Sequence, residues 1–256
     1  MPIIFLSPSL QPFNQYVGGG NEQQYMNEVA DAMEPMLRAN AIRFTRSKIG
    51  DSLADVIRQS NSGNYDLHLA LHSNAAGESM SGQLNGADMY YYTYSVWGKK
   101  AANILAENYR KIAYDPKRVQ ARPTTKLVEV TKTNAPAVLV EVEYHDNEAG
   151  ANWIRTHINE IAANLTEGLT IYFGLPYISD TMEPRSAMVC TKESPLNLRV
   201  RPDLHAPVVT QIPRGSTVTI YGVWKNWRVV GYQDYLGYAD ACLLYTSDAA
   251  DDLTRV

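Results

Sequence analysis

Residues 65–75 read YDLHLALHSNA, an apolar run broken only by His68 and His72 and ending in His-Ser-Asn. With no polar face, such a run suits a strand covered on both sides of a sheet. A neutral imidazole is costly to bury without a partner, and this chain has 5 histidines in all. The strand is therefore either a satisfied core element or the edge of a reaction centre. At about 3.3 Å of rise per residue, His68 and His72 stand roughly 13 Å apart and cannot share one ion. His72, at the carboxyl end, is the site candidate, and His68 is expected to pack with a local hydrogen bond.

Working outward, PIIFLS (2–7), IRFTR (42–46), ADMYYYT (87–93) and AVLVEVEY (137–144) read as further strands. Helical stripes lie between them. Met26, Val29, Met33 and Leu37 follow Asn21, a good N-cap with Gln24 three residues on. Leu53, Val56 and Ile57 mark a second helix, and Ala101, Ile104, Leu105 and Tyr109 a third. Trp153, Ile154, Ile158, Ile161, Leu165 and Leu169 mark one long last helix. Strands alternating with helices predict an α/β three-layer sandwich with a mostly parallel, twisted sheet over residues 2–174.

GLPYISDTMEPRS (174–186) interrupts this pattern, and 175–187 reads as a linker. From 188 to 241 the period shortens to strands with turn signals, Pro213-Arg214-Gly215 among them, as in a small all-β SH3-like barrel. CLLYTSDAADDLTRV (242–256) matches neither pattern. It resembles translated read-through of a library adaptor and reads as a non-native tail.

Composition excludes several classes. With 45% hydrophobic and 20% charged residues the chain is an ordinary globular protein. A net charge of −4 and the lack of a basic stripe give no reason to expect nucleic acid. The two cysteines, Cys190 and Cys242, support neither a disulfide framework nor a cysteine-rich metal site. The start, MPIIFLSPSLQPF, has no positive charge before a short apolar run, so no signal peptide and no membrane span are expected. Such a chain is expected to be made as a soluble intracellular protein. To act on a cell wall it would need lysis, a pore or another route.

Ligands of open α/β sheets sit beyond the carboxyl ends of the strands. His72 is at such an end; Glu141, Glu143 and His145 alternate along another strand, and Glu22 opens the first helix. An imidazole and carboxylates converging on one rim form the donor set that zinc takes in hydrolases. Glu22 alone could simply favour a helix N-terminus. Glu141, inside AVLVEV, needs a buried partner if its role is structural.

Three blocks, GNEQQYMNEVADAM (20–33), DLHLALHSNA (66–75) and TKTNAPAVLVEVEYHDN (131–147), resemble in order and spacing the zinc-dependent N-acetylmuramoyl-L-alanine amidases of the Amidase_3 type. The resemblance implies cleavage of the amide between muramic acid and the first L-alanine of peptidoglycan. It implies Glu22 and His72 as zinc ligands and Glu141 as the catalytic glutamate. The family's first ligand, a histidine after strand one, is missing from LSPSLQPFN (6–14), where Ser9 falls near its place. His145, Gln11 or another oxygen would have to complete the shell. LNLRVRPDLHAPVVTQIPRGSTVTIYGVWKNWRVV (196–230) resembles a bacterial SH3 module, which implies peptidoglycan as its partner. Trp224, Trp227 and Tyr235 could line a groove there or fill the barrel core.

Two rivals follow from the same residues. Glu141 and Glu143 at i and i+2 lie roughly 7 Å apart in a strand, a spacing open to a muramidase-type glycosidase. A chain without its first zinc ligand could also serve as a catalytically degenerate wall-binding protein.

Overall fold

The computed structural model describes residues 1–246. The chain folds into two compact units. One holds Pro2–Glu34 and Phe44–Gly174; the other takes the chain from Leu175 together with Met1 and Pro35–Arg43.

Up to Gly174 the chain runs β1 (Ile3–Pro8), α1 (Glu22–Ala39), β2 (Arg43–Arg46), α2 (Leu53–Ser62), β3 (Leu67–Asn74), β4 (Ala87–Tyr92), α3 (Val96–Tyr109), β5 (Val119–Thr124), α4 (Val128–Thr131), β6 (Ala137–Tyr144), α5 (Glu148–Thr156) and α6 (Ile158–Phe173). The six-stranded sheet has the order β2-β1-β3-β6-β4-β5. β1, β3 and β6 run parallel, and β4 is antiparallel to β6. This is the α/β architecture expected, with β5 and the short α4 unanticipated. Ile4, Phe5, Leu6, Leu67, Leu69, Leu71, Val138 and Val140 are fully buried, so the central strands are covered on both faces.

Local chemistry explains the boundaries. Asn21 accepts the Gln24 N–H at 2.9 Å and starts α1, but the Gln24 amide turns to Glu28 instead of closing a capping box. At α2 the box is complete, between Ser52 and Asp55. The single long helix expected after Trp153 is two helices. His157 sits between them with its Nδ1 2.8 Å from the Trp153 carbonyl oxygen, where a side chain competes with the helical ladder.

One irregularity shapes the site. His72 pairs with Glu141 and Asn74 with Tyr144, so β6 carries an extra residue there. This bulge interrupts the alternation that placed Glu141, Glu143 and His145 on one face.

The second unit contains β7 (Arg185–Val189), β8 (Leu196–Arg199), β9 (Val208–Ile212), β10 (Thr217–Trp224), β11 (Trp227–Tyr232), β12 (Tyr235–Asp240) and β13 (Leu244–Tyr245) in one sheet of order β13-β7-β10-β11-β12-β8-β9. Neighbouring strands in this sheet run antiparallel. Leu196, Leu198, Ile212, Val218, Ile220 and Val230 form its core. The turn at 213–215 closes on Gly215 with φ +79°, where a side chain would be strained. β7 begins inside the stretch read as linker. Leu244 and Tyr245, read as tail, pair with Val189 and Met188. The rest of the tail, from 247 on, lies outside the described residues.

Candidate functional site

The predicted pair meets. Glu22, the first residue of α1, is 1% exposed, and its Oε1 lies 2.7 Å from His72 Nδ1. β3 delivers His72, and the N-cap at Asn21 fixes where Glu22 starts the helix. Asn14 donates to Glu22 Oε2 at 2.6 Å and to Gln11 Oε1 at 3.0 Å, and the Gln11 amide is 3.3 Å from His72 Nδ1. The Ser9 hydroxyl, near the place of the missing histidine, also bonds Glu22. Burial opposes the Glu22 charge, but the hydrogen bond and charge of His72, with the bonds from Asn14 and Ser9, together outweigh this and hold the carboxyl below its ordinary value. Burial likewise disfavours an imidazolium at His72, and bonds to Glu129 and Glu22 reverse that, raising it well above the usual histidine value.

Glu129 is the residue that sequence reasoning missed. It lies in α4, 7% exposed, with Oε1 3.3 Å from His72 Nε2 and Oε2 2.9 Å from His68 Nε2. The Ser7 hydroxyl donates to the same Oε2 at 2.6 Å. His68 Nδ1 faces the Ser60 hydroxyl at 3.0 Å, so the core histidine is satisfied on both nitrogens. Its partners come from 8 and 61 residues away, not from a local turn. The available signal was an acid between two valines in LVEVT (127–131), the same anomaly that marks Glu141.

Glu141 stands beside His72 in register on one side and Asp88 on the other. Its Oε2 is buried without a hydrogen-bond partner. Burial pushes this carboxyl up to about 8, with the nearby His72 lowering it and Glu22 and Asp88 raising it. Asp88 is held by Arg122 Nε at 2.6 Å and Tyr90 Oη at 3.2 Å. Glu143 is turned into the protein. It is 1% exposed, and its Oε1 accepts the Gly86 N–H at 2.7 Å and its neighbour Tyr144's N–H at 2.8 Å.

His145 does not join this group. It follows the end of β6, stacks on Tyr16 with ring centroids 4.7 Å apart, and its Nδ1 faces the Ser73 hydroxyl at 2.9 Å. Ser73 also receives the Tyr16 hydroxyl at 2.6 Å. Among the described residues no three His, Cys, Asp or Glu side chains are grouped to hold a metal ion. Glu22 and His72 face one another beside the partnerless Glu141 oxygen, while Gln11 turns its Nε2 to His72 Nδ1 and its oxygen to Asn14. This set fits a cation only if an amide oxygen supplies the third protein donor, in place of the histidine ligand His145 expected from the sequence.

Gln11, His72, Glu129 and Glu141 line a cleft of 550 Å³, with Phe13, Leu53 and Val128 exposed on its walls. In the second unit a separate cleft of 640 Å³ is lined by Lys192, Glu193, Arg199, Trp227 and Asp240 among others. Trp224 and Trp227 pack partly buried against Val229, Leu236 and Tyr238, and Tyr235 is exposed. Of the three aromatic residues expected to form a groove or a core, Trp227 therefore does some of each.

Known proteins share this fold to different degrees. No curated protein matches the chain. Solved structures do. An N-acetylmuramoyl-L-alanine amidase from Clostridium difficile 630 has TM-score 0.61 at 16% identity, covering 68% of this chain and 97% of that one. Ami1, an amidase from Mycobacterium smegmatis, has TM-score 0.60 at 14% identity, covering 68% and 97%. The catalytic domain of the CD27L endolysin targeting Clostridia difficile has TM-score 0.56 at 22% identity, covering 67% and 97%. At these identities the likeness shows the fold. The bacterial SH3 domain model matches residues 194–244. The N-acetylmuramoyl-L-alanine amidase model matches residues 14–171, which include Glu22, His72, Glu129 and Glu141, and the chain belongs to that family.

Proposed function

We propose that this chain hydrolyses the amide between N-acetylmuramic acid and L-alanine in peptidoglycan. The observation that carries the reading is the Glu141 carboxyl, its Oε2 buried and partnerless, on an open cleft lined by His72, which pairs with Glu22 behind it. Glu22 and His72 are the residues that would hold zinc, with the Gln11 amide turned over so that its oxygen leaves Asn14 and faces them. The chemistry a bound zinc supplies is polarisation of the scissile carbonyl and activation of water.

The chain's own residues account for the proton. Glu141 takes a proton from the attacking water as the new C–O bond forms and delivers it to the amine nitrogen as the C–N bond breaks. A carboxyl pushed up to about 8 exchanges protons near neutrality, where an ordinary glutamate at 4.5 would be a weaker base and a poor acid. The exposed apolar walls at Phe13, Leu53 and Val128 suit the methyl groups of the lactyl and alanyl units flanking that amide. The second unit is read as a wall-binding module that raises the local substrate concentration.

Digestion of purified cell walls tests the reading. New amino groups on alanine, abolished by a chelator and restored by zinc, are expected. Reducing sugar ends would instead mark a glycosidase, against which the inward position of Glu143 already speaks. The absence of a three-donor group of His, Cys, Asp or Glu among the described residues favours one second reading, a wall-binding protein without hydrolysis. Wall binding with neither product would establish it.

A further inference from the structure

We infer that Glu129 is a positioning residue for His72, and that it fixes which ring nitrogen is turned to Glu22. The inference rests on the proposed role of Glu22 and His72 in holding a cation. His72 presents Nδ1 to Glu22 and Gln11, and Nε2 to Glu129 Oε1 at 3.3 Å. A histidine that binds a metal through one nitrogen almost always gives the other N–H to a carboxylate or carbonyl, which sets its tautomer and ring orientation. Glu129 occupies that place.

Glu129 is itself held from behind. Ser7 donates to Oε2, His68 Nε2 contacts the same oxygen, and Ser60 closes the string at His68 Nδ1. With Oε2 engaged twice, Oε1 is the oxygen left for His72. The string crosses four elements: α2 supplies Ser60, β3 both histidines, β1 Ser7 and α4 Glu129. His68 gains a role from this arrangement. It packs in the core, as the sequence suggested, and it also keeps Glu129 aimed at His72. A buried carboxylate with no such function would be an expensive way to satisfy one core histidine.

The test uses the full chain and reads zinc affinity by competition with a chromophoric chelator, alongside the visible spectrum of the cobalt-loaded protein. Glu129→Gln keeps the shape but weakens the pull on the His72 N–H, and a loss of about 10–100-fold in zinc affinity is expected, on the scale of other such partners. The cobalt bands should shift as well. Ser7→Ala, which removes one support from Oε2, should give a smaller loss in the same direction; it decides the question if Glu129→Gln does not fold. A variant with a lowered melting temperature but unchanged zinc affinity and cobalt spectrum would overturn the inference, leaving Glu129 as a partner of His68 alone. If the unmodified chain binds no zinc, the cation-holding role of Glu22 and His72 falls and this inference with it.

Discussion

The two clefts of this chain are built on opposite terms. At the first, Glu22, His72 and Glu129 are nearly sealed from solvent and hold one another at 2.7–3.3 Å. In the second, Lys192 and Glu193 are exposed, and Asp240 and Arg199 are half-buried. Charges kept from water interact strongly and cannot be removed singly without leaving a partner uncompensated. Charges at a wet surface are screened and individually worth little. A site that makes and breaks bonds needs the first kind of setting. A surface that only rests against an insoluble polymer, as proposed for the second unit, manages with the second.

Substitutions should rank accordingly. Glu141→Gln is expected to cost about 10³-fold in alanine-amine release, the scale of a lost acid–base group, while circular dichroism and wall binding stay unchanged. Comparable activity would remove Glu141 from the reaction. Next, Glu22→Gln or His72→Ala should abolish tight zinc binding and, with it, most of the activity, as measured by metal analysis after gel filtration. Retained stoichiometric zinc would move the cation elsewhere.

Arg122→Ala should act more gently. It strips the cation from Asp88 at 2.6 Å and leaves an unpaired carboxylate beside Glu141. The Glu141 carboxyl then rises further, and the acid limb of the rate–pH profile moves upward with a several-fold loss at neutral pH. An unmoved profile would break the link between the two acids. The smallest effect belongs to the second cleft. Lys192→Ala should weaken sedimentation with cell walls a few-fold and leave cleavage of a soluble muropeptide untouched.

Glu141 also leaves a mark on stability. Its carboxyl is raised from 4.5 to about 8 by burial, so the folded state holds its proton more tightly than the unfolded chain. The stabilisation this gives is full below pH 4.5 and is lost as pH climbs toward 8. Glu141→Gln should therefore flatten the fall in melting temperature across that window, as read by calorimetry of the metal-free protein. A parallel curve would show that the carboxyl is not protonated in the fold.

Much of this was legible in the chain itself, for physical reasons that differ by element. β1, β3 and β6 are continuous apolar runs, and few other environments suit them. Glu22 and His72 stood out as candidates because an acid and an imidazole stand at a helix start and a strand end, and Glu141 because an acid interrupts an apolar strand, all three within ordered family blocks. Glu129 was hidden. It lies on a four-residue helix too short for any periodicity, and what gives it meaning is contact with residues 57 and 61 positions away. His145 failed for the opposite reason. Alternation predicts its direction only while the pleat is regular, and β6 ends at Tyr144 after an extra residue. The long helix through His157 failed because a side chain there found the Trp153 carbonyl oxygen. Periodicity reports which face is apolar, not whether the backbone ladder is intact.

The extra residue in β6 acts as a phase shift in the order of side chains, and it sorts two chemically identical acids into different fates. Glu141 is left facing the substrate cleft and Glu143 is tied to the Gly86 amide inside. Shortening that segment by a single position would restore the regular pleat, leaving Glu141 opposite His72 and one residue instead of two opposite Ser73.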